Sequence, residues 1–566
     1  MFNKVAEKVA SNFLFIGATF TCLFIVLSSV TDPVNVTKLT AAGGLGFATL
    51  FLFLGFHAKQ GFNNFKWFLA TSILFLISII NASVSSDAPF QQNLYGAYGR
   101  NTGLIAYLSL MLVAVGALML RTPRSFSKII WGLQIAGLIN VIYCTWVLVF
   151  GDFLSWSNPY GNILGFFGNP NFISAFLGLF IATLFAQVAG PETSWKYRVG
   201  GSLISVVAFY EVLKSNSIQG IVVTAGGLAI VLFFAIRVYF KSVAFTYLYL
   251  VSVGIVGFLA ILGTLQKGPF AFVYKTSVSL RGEYWAAGIK MGMDHPLTGV
   301  GMDTYGDWYR RARSLSAATV LPGPSTMSNA SHNVVIDFFA YGGWPLLASY
   351  LAMLVFAAIS ILRVLIRTKK YDPTFVAMVA AWTCYEVQSV ISINQIGLAV
   401  WGWLLTGALV AYEFSTRPTV NVESPQNNHS KKLKQSSTAG VISPQLVGGI
   451  GALIGVLIAV PPLSADTKWR SAVDSKDSNR VMAALEPGYL NPMNSARLAQ
   501  AVQLLANNNL LNEARKIALQ GINFNPGYFD AWRMIYLLPN STEEEKAKAL
   551  QMMKTLDPLN PDVVKN

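Results

Sequence analysis

About thirteen stretches of mainly apolar residues follow one another along the chain, and no other feature constrains its fold as strongly. They lie near 12–30, 38–56, 66–81, 103–120, 129–150, 171–190, 199–214, 219–237, 243–263, 333–361, 374–391, 396–414 and 442–461. Most approach the ~20 apolar residues that a helix needs to cross the ~30 Å hydrocarbon core of a bilayer. In lipid every backbone N–H and C=O must be satisfied within the segment, which favours helices. Composition agrees: 54% of the 566 residues are hydrophobic and only 12% are charged, too few to cover a water-facing surface. A soluble enzyme, a secreted disulfide scaffold and a disordered chain are thereby excluded. The expected fold class is all-α: a polytopic membrane protein of about 13 transmembrane helices, with a small helical repeat domain outside the membrane.

A net charge of +15 is compatible with nucleic-acid binding, but its distribution is not. Basic residues sit in small groups between the apolar runs, as orientation by cytoplasmic loops requires. Lys4 and Lys8, Lys59 and Lys66, Arg121, Arg124 and Lys128, Lys196 and Arg198, Arg237 and Lys241, and Arg363 through Lys370 fall on one side when the spans alternate. That side reads as cytoplasmic, with the N-terminus inside and the first run retained as a helix rather than cleaved as a signal peptide. Segments 82–102, 151–170 and the long loop 264–332 then face outward, as does 463–566. Residues 416–441, rich in Asn, Ser and Gln, read as a cytoplasmic linker before a last span at 442–462. Cys22, Cys144 and Cys384 all fall within apolar runs, so neither disulfides nor a thiolate metal site is expected.

The tail 463–566 repeats. Asn491-Pro492, Asn525-Pro526 and Asn560-Pro561 recur every 34–35 residues, and the segments between them have helical periodicity, as in tetratricopeptide helix pairs. Such pairs stack into a groove for a protein partner; a cap that merely tethers or stabilises the membrane part reads the same pattern equally well.

Chemistry is sparse and concentrated outside. The sequence has no phosphate-cradling loop, no H-E-x-x-H and no D-x-D pair. His332 ends the long loop in Ser331-His332-Asn333, at a helix start where a neutral imidazole can act as a base. Arg281 opens Arg281-Gly-Glu-Tyr284-Trp285, and Arg100 stands in Gly99-Arg100-Asn-Thr-Gly103. Gly168-Asn169-Pro170-Asn171 precedes the sixth run, and Lys214 and Gln219 flank a polar break. Arginine near lipid is expensive; here it reads either as a phospholipid anchor or as a bidentate fork for a diphosphate.

Taken in order with Pro296-Leu-x-Gly299-x-Gly301, these motifs resemble the O-antigen ligase and polymerase superfamily, which includes bacterial protein O-oligosaccharyltransferases. The resemblance covers roughly residues 95–415, the heart of a membrane domain spanning 1–415. It implies a helical membrane glycosyltransferase (GT-C-like), inverting and metal-independent, with no cofactor. Such an enzyme moves a glycan from undecaprenyl diphosphate to a lipid, protein or wall-polymer acceptor, at the outer face of a bacterial cytoplasmic membrane. On this reading His332 is the base and Arg281 stabilises the leaving diphosphate. Arg100, Asn169, Asn171, Lys214, Gln219, Trp285, Arg310 and Arg311 are the candidate substrate contacts. Where the family often has a second arginine this chain has Gln219, so either Arg100, Lys214 or the run Arg310, Arg311, Arg313 supplies the charge, or the diphosphate is bound differently. Asp337 is not expected to orient His332, because five residues along a helix point it about 140° away. A transporter is the rival class, disfavoured because only Glu386 stands out as a charge deep in a span. Polymerase and ligase are not separated by these motifs.

Overall fold

Apolar stretches free of interior breakers form helices because only the helix satisfies their backbone internally. The computed structural model describes residues 3–271, 280–418 and 442–565, and among them no β-strand forms. Among the described residues nine helices are long and apolar enough to cross a bilayer, or ten if the bent pair Pro444–Ala459 and Pro461–Ser475 is one span. The expectation of about 13 is thus lowered, and the shortfall has physical causes. Lys4–Leu23 begins among Lys4, Glu7 and Lys8 and stops before residue 24, Leu104–Ala117 has only 14 residues, and Trp195–Lys214 carries four charged side chains. Charge inside the bundle is also more common than the sequence suggested. Besides Glu386, Lys38 and Glu211 are buried. Lys38 Nζ bonds the carbonyl oxygens of Thr21, Cys22 and Phe24, which answers the orphaned C-terminal carbonyls of the first helix.

The connections sort into two ends. At one end they are brief: His57 alone joins Asn35–Phe56 to Ala58–Val84, and residues 189–194, 241–242 and 368–372 join later pairs. The other end carries 24–34, 85–103, 151–169, 265–271, 280–333 and 392–395, together with the described part of the C-terminal tail. The basic groups singled out from sequence lie on or near the brief connections.

Two features place the tail over the long-loop end. Pro444–Ala459 packs on Asn35–Phe56 through small residues; a Cβ on Gly455 would sit 2.1 Å from the Gly43 carbonyl oxygen. Backbones approach this closely only where side chains are absent. The chain then bends by 47° into Pro461–Ser475, where buried Asp466 accepts hydrogen bonds from the amides of Thr31 and Asp32, both at 2.8 Å. Beyond it, Ser495–Asn507 pairs with Leu511–Phe524 and Phe529–Leu537 with Glu543–Leu556, around a second apolar core that includes Leu498, Ala514, Trp532 and Met553.

Candidate functional site

The long helix Val334–Arg367 is broken near its start. Gly342 and Gly343 leave helical geometry and Pro345 follows, so the break frees carbonyl groups in the turn before it. The long loop fills this gap. Val300 N–H donates to the Ala340 carbonyl at 2.9 Å, Gly301 N–H to Tyr341 at 3.1 Å, and Trp344 N–H to Pro296 at 2.8 Å. A Cβ on Gly299 would lie 2.2 Å from the Tyr341 backbone, and one on Gly343 would lie 2.2 Å from the Pro296 oxygen. The motifs Pro296-Leu-x-Gly299-x-Gly301 and Tyr341-Gly342-Gly343 are therefore the two halves of one contact. It makes Val334–Tyr341 a short clamped segment rather than the free end of a span.

His332 precedes that segment. Asp337 accepts from both the amide and the hydroxyl of Ser331 at 2.8 Å, and Asn333 caps the amides of Val335 and Ile336. Between these fixed neighbours His332 has φ +60°, a left-handed conformation costing a non-glycine residue about 1–2 kcal/mol. Its ring lies near-parallel to Tyr284, centroids 5.7 Å apart. Burial, then the charges of Arg281 and Arg100, pull its pKa down to about 4, so the imidazole is neutral at neutral pH. Asp337 orders the loop through Ser331 and does not bond the histidine.

The two arginines near His332 differ. Arg281 starts the helix Arg281–Asp294, one turn before Trp285; among the described residues no carboxylate pairs with it, and burial lowers its pKa. Arg100 is almost fully buried. Its Nε stands 3.5 Å from Asp303, its Nη1 donates to the Asn329 carbonyl and its Nη2 to the Tyr341 hydroxyl at 3.4 Å. Asp303 also accepts from the amides of Ala97 and Thr102, so Arg100 ties the 96–103 loop to the long loop while keeping its charge near the imidazole. Trp285 Nε1 and the Tyr309 hydroxyl are buried without a partner among the described residues, and Tyr309 packs edge-on against Tyr284.

The remaining sequence candidates disperse. Arg310 and Arg313 converge on Asp557 of the tail at 2.9 and 2.7 Å, all three buried. Arg311 lies 4.4 Å over the Trp308 ring and donates to the Gly527 carbonyl. This arginine run binds the tail, Arg310 and Arg313 through Asp557 and Arg311 through Gly527. Lys214 is exposed, 5.4 Å from the Tyr210 ring. Asn171 accepts from Ser217 at 2.7 Å, beside buried Gln219, whose two amide atoms both lack partners. Asn169 caps Pro170–Val188 and donates to the Tyr160 hydroxyl at 3.1 Å. Sequence reasoning missed Asp303 as the partner of Arg100, and gave no role to Tyr284. The signal for Tyr284 was present, three residues after Arg281; nothing in the sequence marks Asp303, 203 positions from Arg100.

Residues 200–351 match a family described as O-antigen ligase. The match takes in Gln219, Arg281, Trp285, Arg310, Arg311 and His332, and stops short of Arg100 and Asn169. It supports the O-antigen ligase and polymerase superfamily, and in broad terms a glycosyltransferase-like enzyme acting on lipid-linked glycans. No curated protein matches the chain.

Proposed function

We propose, for a chain with an O-antigen ligase domain over residues 200–351, inverting transfer of a glycan from undecaprenyl diphosphate to an acceptor hydroxyl, without a metal. The reaction takes place at the outer face of a bacterial cytoplasmic membrane, where the long loops and tail would lie with the basic, short-connection end inside. The observation that carries this reading is His332: a fixed, neutral imidazole beside Arg281, a half-buried cation with no carboxylate partner among the described residues.

The acceptor hydroxyl oxygen attacks the anomeric carbon from the face opposite the diphosphate. The new carbon–oxygen bond forms as the bond to the phosphate oxygen breaks, and the leaving diphosphate takes the electron pair. Arg281 faces that growing charge and Arg100 adds a fixed field behind it; positive charge placed in advance stabilises such a transition state. The hydroxyl proton passes to the His332 imidazole, which later returns it to solvent. A base with a pKa near 4 is weak in the empty site. An arriving dianion offsets the two arginines that lower it, so the imidazole becomes more basic when the donor is bound. Ligase is the preferred class because the tail supplies a surface for a large acceptor.

The test uses full-length protein in detergent with chelator, a labelled lipid-diphosphate oligosaccharide and candidate acceptors. Release of lipid diphosphate with a larger glycan product is expected from wild type, with His332→Ala slowed by about 10²–10⁴-fold and Arg281→Ala by a similar factor. Product size separates ligase from polymerase: one donor chain on a foreign acceptor, or a ladder of joined chains. Undiminished transfer by His332→Ala would remove the base assignment.

A further inference from the structure

Arg100 faces two places. Close enough to His332 to depress its pKa, it also lines a separate cavity of about 420 Å³ walled by 27–35, 155–169 and 393–395. Small-ligand sites typically measure roughly 300–1,000 Å³. The lining includes amides, hydroxyls and two exposed-edge aromatic rings: Asn35, Trp156, Tyr160, Asn169 and Gln395 contribute, with Arg470 from the bent terminal helix. Three charged side chains take part, Asp32, Arg100 and Arg470: the two arginines pair with carboxylates and Asp32 is held by amides. Asp32 accepts from the amides of Val34 and Asn35 at 3.0 Å, Arg100 pairs with Asp303, and Arg470 pairs with Asp474 at 2.8 Å. The walls are fixed rather than floppy. Asp466, fully buried, bonds Thr31 and Asp32 on one wall and accepts from the Tyr98 hydroxyl at 2.9 Å beside the other.

One group in this lining is unfinished. Gln395 is 3% exposed; its Oε1 accepts from the Leu398 amide at 3.2 Å, while its Nε2 is buried with no partner among the described residues. Buried amide N–H groups are rarely left unbonded, so the acceptor for this donor comes from outside the chain. With both arginines already paired and the Asp32 carboxyl in the same lining, a diphosphate is disfavoured here. Amide donors and acceptors suit the hydroxyls of a sugar, and the flat faces of Trp156 and Tyr160 suit its apolar C–H surface.

We propose that this cavity is a saccharide subsite, holding a neutral, polyhydroxylated sugar unit of the glycan with Gln395 Nε2 donating to a hydroxyl or ring oxygen. The inference rests on the glycosyl-transfer reading for the origin of that sugar, and it adds a binding determinant outside the matched family segment.

The test is equilibrium dialysis on full-length protein in detergent. The probe is the water-soluble oligosaccharide released by mild acid from the native host's lipid-linked pool and labelled with 2-aminobenzamide. Gln395→Glu keeps an oxygen to cap Leu398 while replacing the free amide donor, so it separates the subsite from folding; Trp156→Ala tests the aromatic wall. Saturable binding to wild type and to Glu7→Gln at the opposite end, weakened at least tenfold in Gln395→Glu and Trp156→Ala, is the expected result. Absence of saturable binding, equal binding by both cavity variants, or displacement by inorganic pyrophosphate would overturn the subsite. Transfer assayed on the same preparations keeps the two ideas apart. Sugar binding with wild-type turnover in His332→Ala sinks the catalytic reading and leaves the subsite standing.

Discussion

His57 and His332 stand at opposite ends of the bundle, and burial beside arginine lowers both pKa values to about 4. Their surroundings differ in kind. His57 Nε2 is 3.0 Å from Arg121 Nη2, and Glu7 holds the backbone amides of Arg121 and Thr122 at 2.9 and 2.8 Å. Farther along that end Arg367 pairs with Glu413 at 3.0 Å, and Tyr412 donates to Asp372. Each of these groups has a partner in another part of the chain, and only the Nε of Arg367 among them is buried without one among the described residues. At the long-loop end, Arg281 has no carboxylate among the described residues, and Trp285 Nε1, Gln219 and Gln395 Nε2 are left without partners. A shifted pKa alone therefore does not locate chemistry; the contrast between closed and open hydrogen-bonding capacity does.

The largest effect should break the symmetry of the two histidines. His332→Ala is expected to lower turnover by about 10²–10⁴-fold, whereas His57→Ala should leave turnover intact and only lower the melting temperature; equal kinetic losses would dissolve the comparison. The same histidine sets a pH limb. In the free protein kcat/KM should rise through about pH 4 and level off above it, because the base must be unprotonated. Since folding lowers this pKa from 6.5 to about 4, the folded chain binds fewer protons between those values. Its contribution to stability is complete above pH 6.5 and is lost as the pH falls toward 4.

Next in size is the tail clamp. Asp557→Ala strands two buried arginines and should cost about 3–5 kcal/mol. Thermal unfolding and limited proteolysis should show the tail released first, and Asp557→Glu should restore part of the loss. Glu7→Gln at the short-connection end should cost about 1–3 kcal/mol with KM unchanged; a raised KM would mean that the two ends are coupled. Smallest of all, Lys214→Ala should alter stability by less than about 0.5 kcal/mol and leave donor KM unchanged in the transfer assay, as its exposed position beside Tyr210 implies.

Much of the architecture was legible because hydrophobic length is a local property. The helices Pro170–Val188, Pro373–Ile391 and Ile396–Ser415 fall within a few residues of the apolar runs. Where runs carried charge at an end, as at Lys4–Leu23, or were too short, as at Leu104–Ala117, the count of spans was overestimated. The motif around His332 was equally local: Ser331 and Asn333 fix the residue between them, and their roles are written into adjacent positions. Arginines resisted this kind of reading. Arg100, Arg281 and Arg310 are alike in sequence, yet one is tied to Asp303, one has no carboxylate partner among the described residues, and one is bound to Asp557.

Sequence by itself determined that the chain is a bundle of membrane helices with its basic groups toward one end, and that a histidine, arginines and amides gather in the loops of the other. Those properties follow from side-chain polarity counted along the chain. Only the tertiary structure decided which cations remain open to a ligand, that the glycine motifs of the long loop fill a helix break, and that Arg470 of the tail joins the lining of a polar cavity. Asp303 and Asp557 lie 203 and 247 positions from Arg100 and Arg310. A charge is made structural or left available by the partner that folding brings to it, and no local pattern encodes contacts over such separations.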